Sequence, residues 1–130
     1  AARIIRKGIF YRAELITQEI ENASTLGKKL AANNLTTSML KELGVAIRSL
    51  HDKGFMHPDL NIENILIGDS KKIFFLDFDQ TQPLSQKEIQ FGIDIERLRR
   101  SVKKFCLKNE RDFPEREWHI VLETYGSDIL

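Results

Sequence analysis

The stretch from His57 to Asp79, HPDLNIENILIGDSKKIFFLDFD, limits what this chain can fold into more than any other part of it. Two short apolar runs, ILI and IFFL, are separated by Gly68, Asp69 and Ser70, a pattern that predicts a β-hairpin. Asn64 stands just before the first run and Asp77 just after the second, so an antiparallel pairing brings both polar residues out at one end. The loop ahead of the hairpin, MHPDLNIEN, carries Asp59 five residues before Asn64. One loop and one hairpin can therefore gather Asp59, Asn64 and Asp77 at a single point.

The flanks read as scaffold. The start, ARIIRKGIFYRAELITQEI, has two β-like runs around Gly8 and predicts an antiparallel hairpin. Ser24 or Thr25 can cap a short helix over residues 26–32, ended by Asn33 and Asn34. A longer helix is expected over 38–53, where Leu40, Leu43, Ile47 and Leu50 share one face and Gly54 is placed to close it. Residues 80–92 read as a loop around Pro83. A third helix, over about 94–107, buries Ile95, Leu98, Val102 and Phe105, with Asp94 as its N-cap or first-turn carboxylate. Pro114 starts a last helix with Trp118, Val121, Leu122 and Tyr125 on its apolar stripe.

Composition narrows the function classes. With 42% hydrophobic and 30% charged residues over 130 positions, the chain is sized for one packed domain and is not disordered as a whole. A formal net charge of +1 gives no global attraction to nucleic acid. No apolar run reaches the roughly 20 residues that span a bilayer. The single cysteine, Cys106, excludes an internal disulfide and falls on an apolar helix face, where it reads as core. His51 and His119 read as ordinary helix residues, and Trp118 and Tyr125 as core.

The chemistry that suits these residues is phosphoryl transfer. It needs a carboxylate to orient or deprotonate the attacking hydroxyl and oxygen ligands to hold magnesium on the nucleotide phosphates. Asp59 suits the first task, and Asn64 and Asp77 the second.

HPDLNIEN resembles the catalytic loop of the protein-kinase-like fold, H-x-D-x-x-x-x-N, and LDFD resembles its metal-binding D-F-G segment. Taken with YRAELITQEIENASTL, LGVAIRSLHDKGFMHPDLN and IERLRRSVKKF, the chain looks like the lipopolysaccharide core kinases, the Kdo and heptose kinase group, and is nearer to the Kdo (3-deoxy-manno-octulosonic acid) side of it. The resemblance covers most of residues 2–107.

It implies an α+β, protein-kinase-like fold: a mostly helical carboxyl-terminal lobe over 25–130, preceded by the last two strands of the amino-terminal lobe over 1–20 and a hinge at about 19–24. It implies ATP and magnesium as cofactors. Asp59 would be the base, and Asn64 and Asp77 the metal ligands. Glu19, Ile20 and Glu21 would meet adenine through their backbone, while His57, packing near Phe78, and Asp94 would position the loop. The implied acceptor is Kdo-lipid A or a related lipopolysaccharide core. The implied place is peripheral, on the cytoplasmic face of a Gram-negative inner membrane. Asn61 is a candidate substrate contact, and Asp79, where the usual glycine stands, is a candidate for either magnesium or a substrate hydroxyl.

Three features depart from protein kinases. Pro58 replaces the arginine that senses activation-loop phosphorylation, the segment from Asp79 to Asp94 is short, and no A-P-E follows. A sugar or lipid acceptor is favoured over a peptide. There is also no glycine-rich loop and no strand lysine, so the chain reads as part of a longer protein, inactive by itself. An atypical protein or small-molecule kinase, and a noncatalytic kinase-like module, are the competing readings. The basic cluster Arg97, Arg99, Arg100, Lys103 and Lys104 reads either as a solvated helix face with Glu96 as a partial partner or as a contact for anionic lipid and core-sugar phosphates.

Overall fold

The computed structural model describes residues 2–4, 22–76 and 91–126. In order these form β1 (Ala2–Ile4), β2 (Ser24–Thr25), α1 (Leu26–Ala31), α2 (Thr37–Asp52), β3 (Ile65–Ile67), β4 (Ile73–Phe75), α3 (Phe91–Lys108) and α4 (Glu115–Tyr125), a mixed α+β arrangement.

Local chemistry sets most of the boundaries. Thr25 Oγ1 accepts the Lys28 N–H at 3.0 Å and Thr36 Oγ1 accepts the Met39 N–H at 3.2 Å, so α1 and α2 each start on a side-chain cap. Gly54, at φ 82°, ends α2 in the left-handed region, and the Gly54 and Phe55 N–H groups return to the His51 and Leu50 carbonyls. Both helices fall within a residue or two of their sequence expectation. Helix α3 differs, since it begins at Phe91, three residues ahead of Asp94. Gly92 is no obstacle in a first turn whose packing is decided further along, by buried Ile95, Leu98 and Val102. Asp94 is therefore a first-turn residue and not the cap.

The sheet runs β1-β4-β3-β2. Strands β3 and β4 are antiparallel, with Ile65 opposite Phe75 and Ile67 opposite Ile73, and β2 adds antiparallel to β3. All six residues of β3 and β4 are buried, which explains two unbroken apolar runs in place of an alternating pattern. Strand β1 lies parallel to β4, Ala2 beside Ile73 and Ile4 beside Phe75. Strand β4 thus takes β3 on one edge and the ARI run on the other. The rest of the expected hairpin lies outside the described residues.

The core fills the space between this sheet and the helices. Leu43, Ile47 and Leu50 of α2, Leu98 and Val102 of α3, and Trp118 and Val121 of α4 form one cluster with the strand side chains. Each such aliphatic residue stabilises the fold by roughly 1.5–3 kcal/mol on burial. Helices α2 and α4 cross at Gly44, where an added Cβ would stand 2.6 Å from the Val121 carbonyl oxygen and 2.7 Å from Thr124 Cβ. Among the described residues no helix is long and apolar enough to cross a membrane.

Candidate active site

The sharp end of α2 delivers the chain into the loop that carries His57, Asp59 and Asn64. His57 is 1% exposed. Its Nδ1 accepts the Asp59 N–H at 2.9 Å, which leaves the ring proton on Nε2, and Nε2 donates to the Leu76 carbonyl. One imidazole thus shapes the backbone at Asp59 and ties the loop to the residue next to Asp77.

Two asparagine amides complete the loop. Asn61 Oδ1 accepts the Glu63 and Asn64 N–H groups at 2.8 and 3.2 Å, and Asn61 Nδ2 donates to the Asp59 carbonyl at 3.2 Å. Asn64 Nδ2 donates to the same carbonyl at 2.8 Å, an assignment that turns the Asn64 amide oxygen the other way. The Leu76 N–H donates to the Asn64 carbonyl at 2.9 Å and closes the hairpin end. Asp59 is consequently held at both its N–H and its C=O, while its side chain stands in an exposed residue.

Behind the loop runs a buried polar strut. Asp94 is 0% exposed, and its Oδ2 accepts the His57 N–H at 2.8 Å and His51 Nε2 at 2.9 Å. His51 Nδ1 lies 2.7 Å from the Tyr125 hydroxyl, with the two rings edge to face. Burial pushes the Tyr125 hydroxyl up to about 12; Arg48 opposes this shift, and Asp52 and Asp94 add to it. The phenol keeps its proton, and His51 bridges Tyr125 and Asp94 through its two ring nitrogens. A buried carboxylate is tolerable here because it has charge-assisted donors and sits in the first turn of α3, at the positive end of the helix dipole. For Oδ1 no partner stands among the described residues.

Helix α3 grips the loop from outside. Arg97 Nη1 donates to the carbonyls of Pro58 at 2.8 Å and His57 at 3.3 Å, and one turn on Ser101 Oγ accepts the Ile62 N–H at 3.0 Å. Between loop and helix lies a groove of about 650 Å³ that is bordered by Asp59, Asn61, Arg97, Arg100, Lys104 and Lys108. Arg99 and Lys103 do not line it; Arg99 stacks over the Phe113 ring at 5.2 Å. Cys106 is buried, and burial raises its thiol pKa, with Arg111 opposing and Asp112 adding.

The structure therefore brings His57, Asp59, Asn61, Asn64, Asp94, Arg97 and Arg100 together, and leaves Arg99 and Lys103 off the groove. Asn61, expected as a substrate contact, has both ends of its amide bonded within its own loop. Asp77, Asp79, Glu19, Ile20 and Glu21 lie outside the described residues, as does Phe78. Sequence reasoning passed over His51, Tyr125 and Lys108. The signal for His51 was its place four residues after Ile47 on the buried face of α2, since a buried imidazole needs partners. Lys108 extends the basic series one turn beyond Lys104.

Comparison with known proteins fits this geometry. Residues 1–125 match the profile of the lipopolysaccharide kinase (Kdo/WaaP) family. The 3-deoxy-D-manno-octulosonic acid kinase of Vibrio parahaemolyticus is 36% identical over 123 residues, which are 95% of this chain and 51% of that protein. The protein of the same name from Actinobacillus succinogenes is 35% identical over 120 residues, 88% of this chain and 49% of its own length. That from Haemophilus influenzae is 34% identical over 132 aligned positions, 96% and 54% of the two chains. The chain spans about half the length of the curated relatives it matches. With a match that runs through the loop, the hairpin and all four helices, the chain belongs to the lipopolysaccharide kinase (Kdo/WaaP) family.

Proposed function

We propose that the intact protein transfers the γ-phosphoryl group of ATP to a sugar hydroxyl of Kdo-lipid A or a related lipopolysaccharide core. The observation that supports this best is Asp59, whose main chain is fixed on both sides while its carboxylate faces a groove large enough for a sugar acceptor. In this reading Asp59 accepts the proton of the attacking hydroxyl, the hydroxyl oxygen bonds to the γ-phosphorus, and ADP leaves with the bridging oxygen. Magnesium, when bound, neutralises charge on the phosphates. The Asn64 amide oxygen, turned away from Asp59 by the Nδ2 bond, suits that ion, and Asp77 follows in sequence directly after Leu76, whose N–H is bonded to Asn64.

Glu19, Ile20 and Glu21 are the proposed adenine contacts, in a hinge leading into a carboxyl-terminal lobe of residues 25–130. The proposed location is peripheral, on the cytoplasmic face of the inner membrane. The test is Asp59→Asn in the intact protein, assayed with ATP, magnesium and Kdo-lipid A. Turnover is expected to drop by about 10³-fold with the melting temperature unchanged. Activity within a few fold of the unsubstituted protein would remove Asp59 as the base. Equal turnover of peptide acceptors by the unsubstituted protein would remove the sugar assignment, and equal turnover of aminoglycosides would remove the lipopolysaccharide core as the specific acceptor.

A further inference from the structure

We infer that the groove face of α3 is a remote anion subsite, in which Arg100, Lys104 and Lys108 bind a carboxylate or phosphate that the acceptor carries away from its reacting hydroxyl. The inference rests on the reading of Asp59 as the reacting carboxylate, and it adds which part of the acceptor is recognised, where, and by what.

Residues 97, 100, 104 and 108 are spaced three, four and four apart, so they form one stripe along the helix, about 16 Å long. Arg97 is at the end nearest the loop and spends a guanidinium nitrogen on the His57 and Pro58 carbonyls. The next three cations are exposed and border the same groove as Asp59. That stripe is longer than one sugar ring, so a ligand that reaches from Asp59 to Lys108 extends beyond the unit that reacts.

The charge of the groove is local. It is lined by four cationic side chains against two carboxylates, Asp59 and Glu63, although the chain as a whole carries only +1. Like charges at i and i+4 destabilise a helix, and Arg100, Lys104 and Lys108 form two such pairs in succession. The dipole at the C-terminal end of α3 favours Lys108 and Lys104, but it does nothing for Arg100 in the middle of the helix. Glu96, four residues before Arg100, is the nearest acid on the helix; none lies between Arg97 and Lys108, whereas a solvated face would interleave acids with these cations. An anion laid along the stripe offsets the repulsion. Planar guanidinium and flexible ammonium groups together accept either carboxylate or phosphate.

The experiment uses the intact protein and titrates deacylated inner-core oligosaccharide, free of any membrane, by calorimetry. The triple variant R100Q/K104Q/K108Q is expected to bind it roughly tenfold or more weakly, with ATP affinity unchanged, as several charge-assisted contacts are lost together. The double variant R99Q/K103Q removes charge from the same helix but off the groove, and should bind like the unsubstituted protein. Phosphatase-treated and carboxyl-reduced oligosaccharide identify the anion: whichever treatment abolishes the difference between triple variant and unsubstituted protein marks the group that α3 holds.

Equal binding by the triple variant, an equal loss in the double variant, or no binding by the unsubstituted protein overturns the subsite. Should the triple variant fail to fold, the three single glutamine variants read the same loss at smaller size. Turnover separates the two readings. Weakened binding in the triple variant together with no phosphoryl transfer by the unsubstituted protein sinks the kinase reading and leaves the subsite. Normal transfer with an unchanged acceptor kcat/KM in the triple variant does the reverse.

Discussion

The loop that carries Asp59 and the outer face of α3 border one groove and are built in opposite ways. In the loop, polar side chains are turned inward: His57, Asn61 and Asn64 all bond to backbone groups of their own segment or of the hairpin end. On α3, Arg100, Lys104 and Lys108 stand exposed on a helix that needs none of them to hold its shape. The difference suits the two proposed tasks. A reacting carboxylate must be placed to within a fraction of an ångström, which takes a satisfied hydrogen-bond network. Attraction of an anion acts over roughly 8–10 Å in physiological salt and tolerates long, mobile side chains.

The contrast can be broken most severely at Asp94. If the loop is rigid because this buried carboxylate holds it, Asp94→Ala strands the His57 N–H and His51 Nε2 and should cost about 3–5 kcal/mol in denaturant unfolding, with turnover lost as well. A loss below about 1 kcal/mol would show that the loop holds itself. Next comes Gly44→Ala, which forces α2 away from α4, and from the Tyr125 end of the strut, against backbone atoms that cannot yield. About 1–3 kcal/mol is expected, read as a lower melting temperature; an unchanged value would mean that the crossing adjusts freely.

Tyr125→Phe sharpens the comparison through pH. The folded protein holds the phenolic proton more tightly than the unfolded chain does, because the hydroxyl is raised from 10.0 to about 12. Its contribution is complete below pH 10, falls as pH rises, and is gone by about pH 12, a change on the order of 2 kcal/mol. Unfolding free energy should fall across that window in the unsubstituted protein more steeply than in the variant; parallel curves would take Tyr125 out of the strut. At neutral pH the variant should lose about 1 kcal/mol, because His51 Nδ1 loses its hydrogen-bond partner. The smallest effect is expected on the exposed side. Arg99→Gln removes only its contact with the Phe113 ring and should change stability by under about 1 kcal/mol and turnover not at all. A large loss of turnover would move the functional face of α3 to its other side.

Much of the site's skeleton was readable from residue order. ILI and IFFL around a glycine turn predict the hairpin, and the end at which Asn64 and Leu76 meet follows from antiparallel pairing. Thr25 and Gly54 announce the start of α1 and the end of α2, because helix ends depend on contacts within a few residues. The start of α3 was not readable, since its first turn is stabilised by burial of residues further along the helix. Nor was the place of Ala2–Ile4 beside β4, which depends on an edge left open some seventy residues later.

What the sequence determined by itself is the local set: a loop with Asp59 five residues before Asn64, a hairpin that brings its ends together, and a third helix rich in cations. Each depends on spacing, turn chemistry or periodicity over a few residues. Only the tertiary structure decided that His51 and Tyr125, 74 residues apart, complete the support for Asp94, and that Arg97 and Arg100 with Lys104 and Lys108 face Asp59 while Arg99 and Lys103 do not. These are matters of how α2, α3 and α4 are rotated against one another. Packing of the whole core sets that rotation, and no short stretch of sequence encodes it.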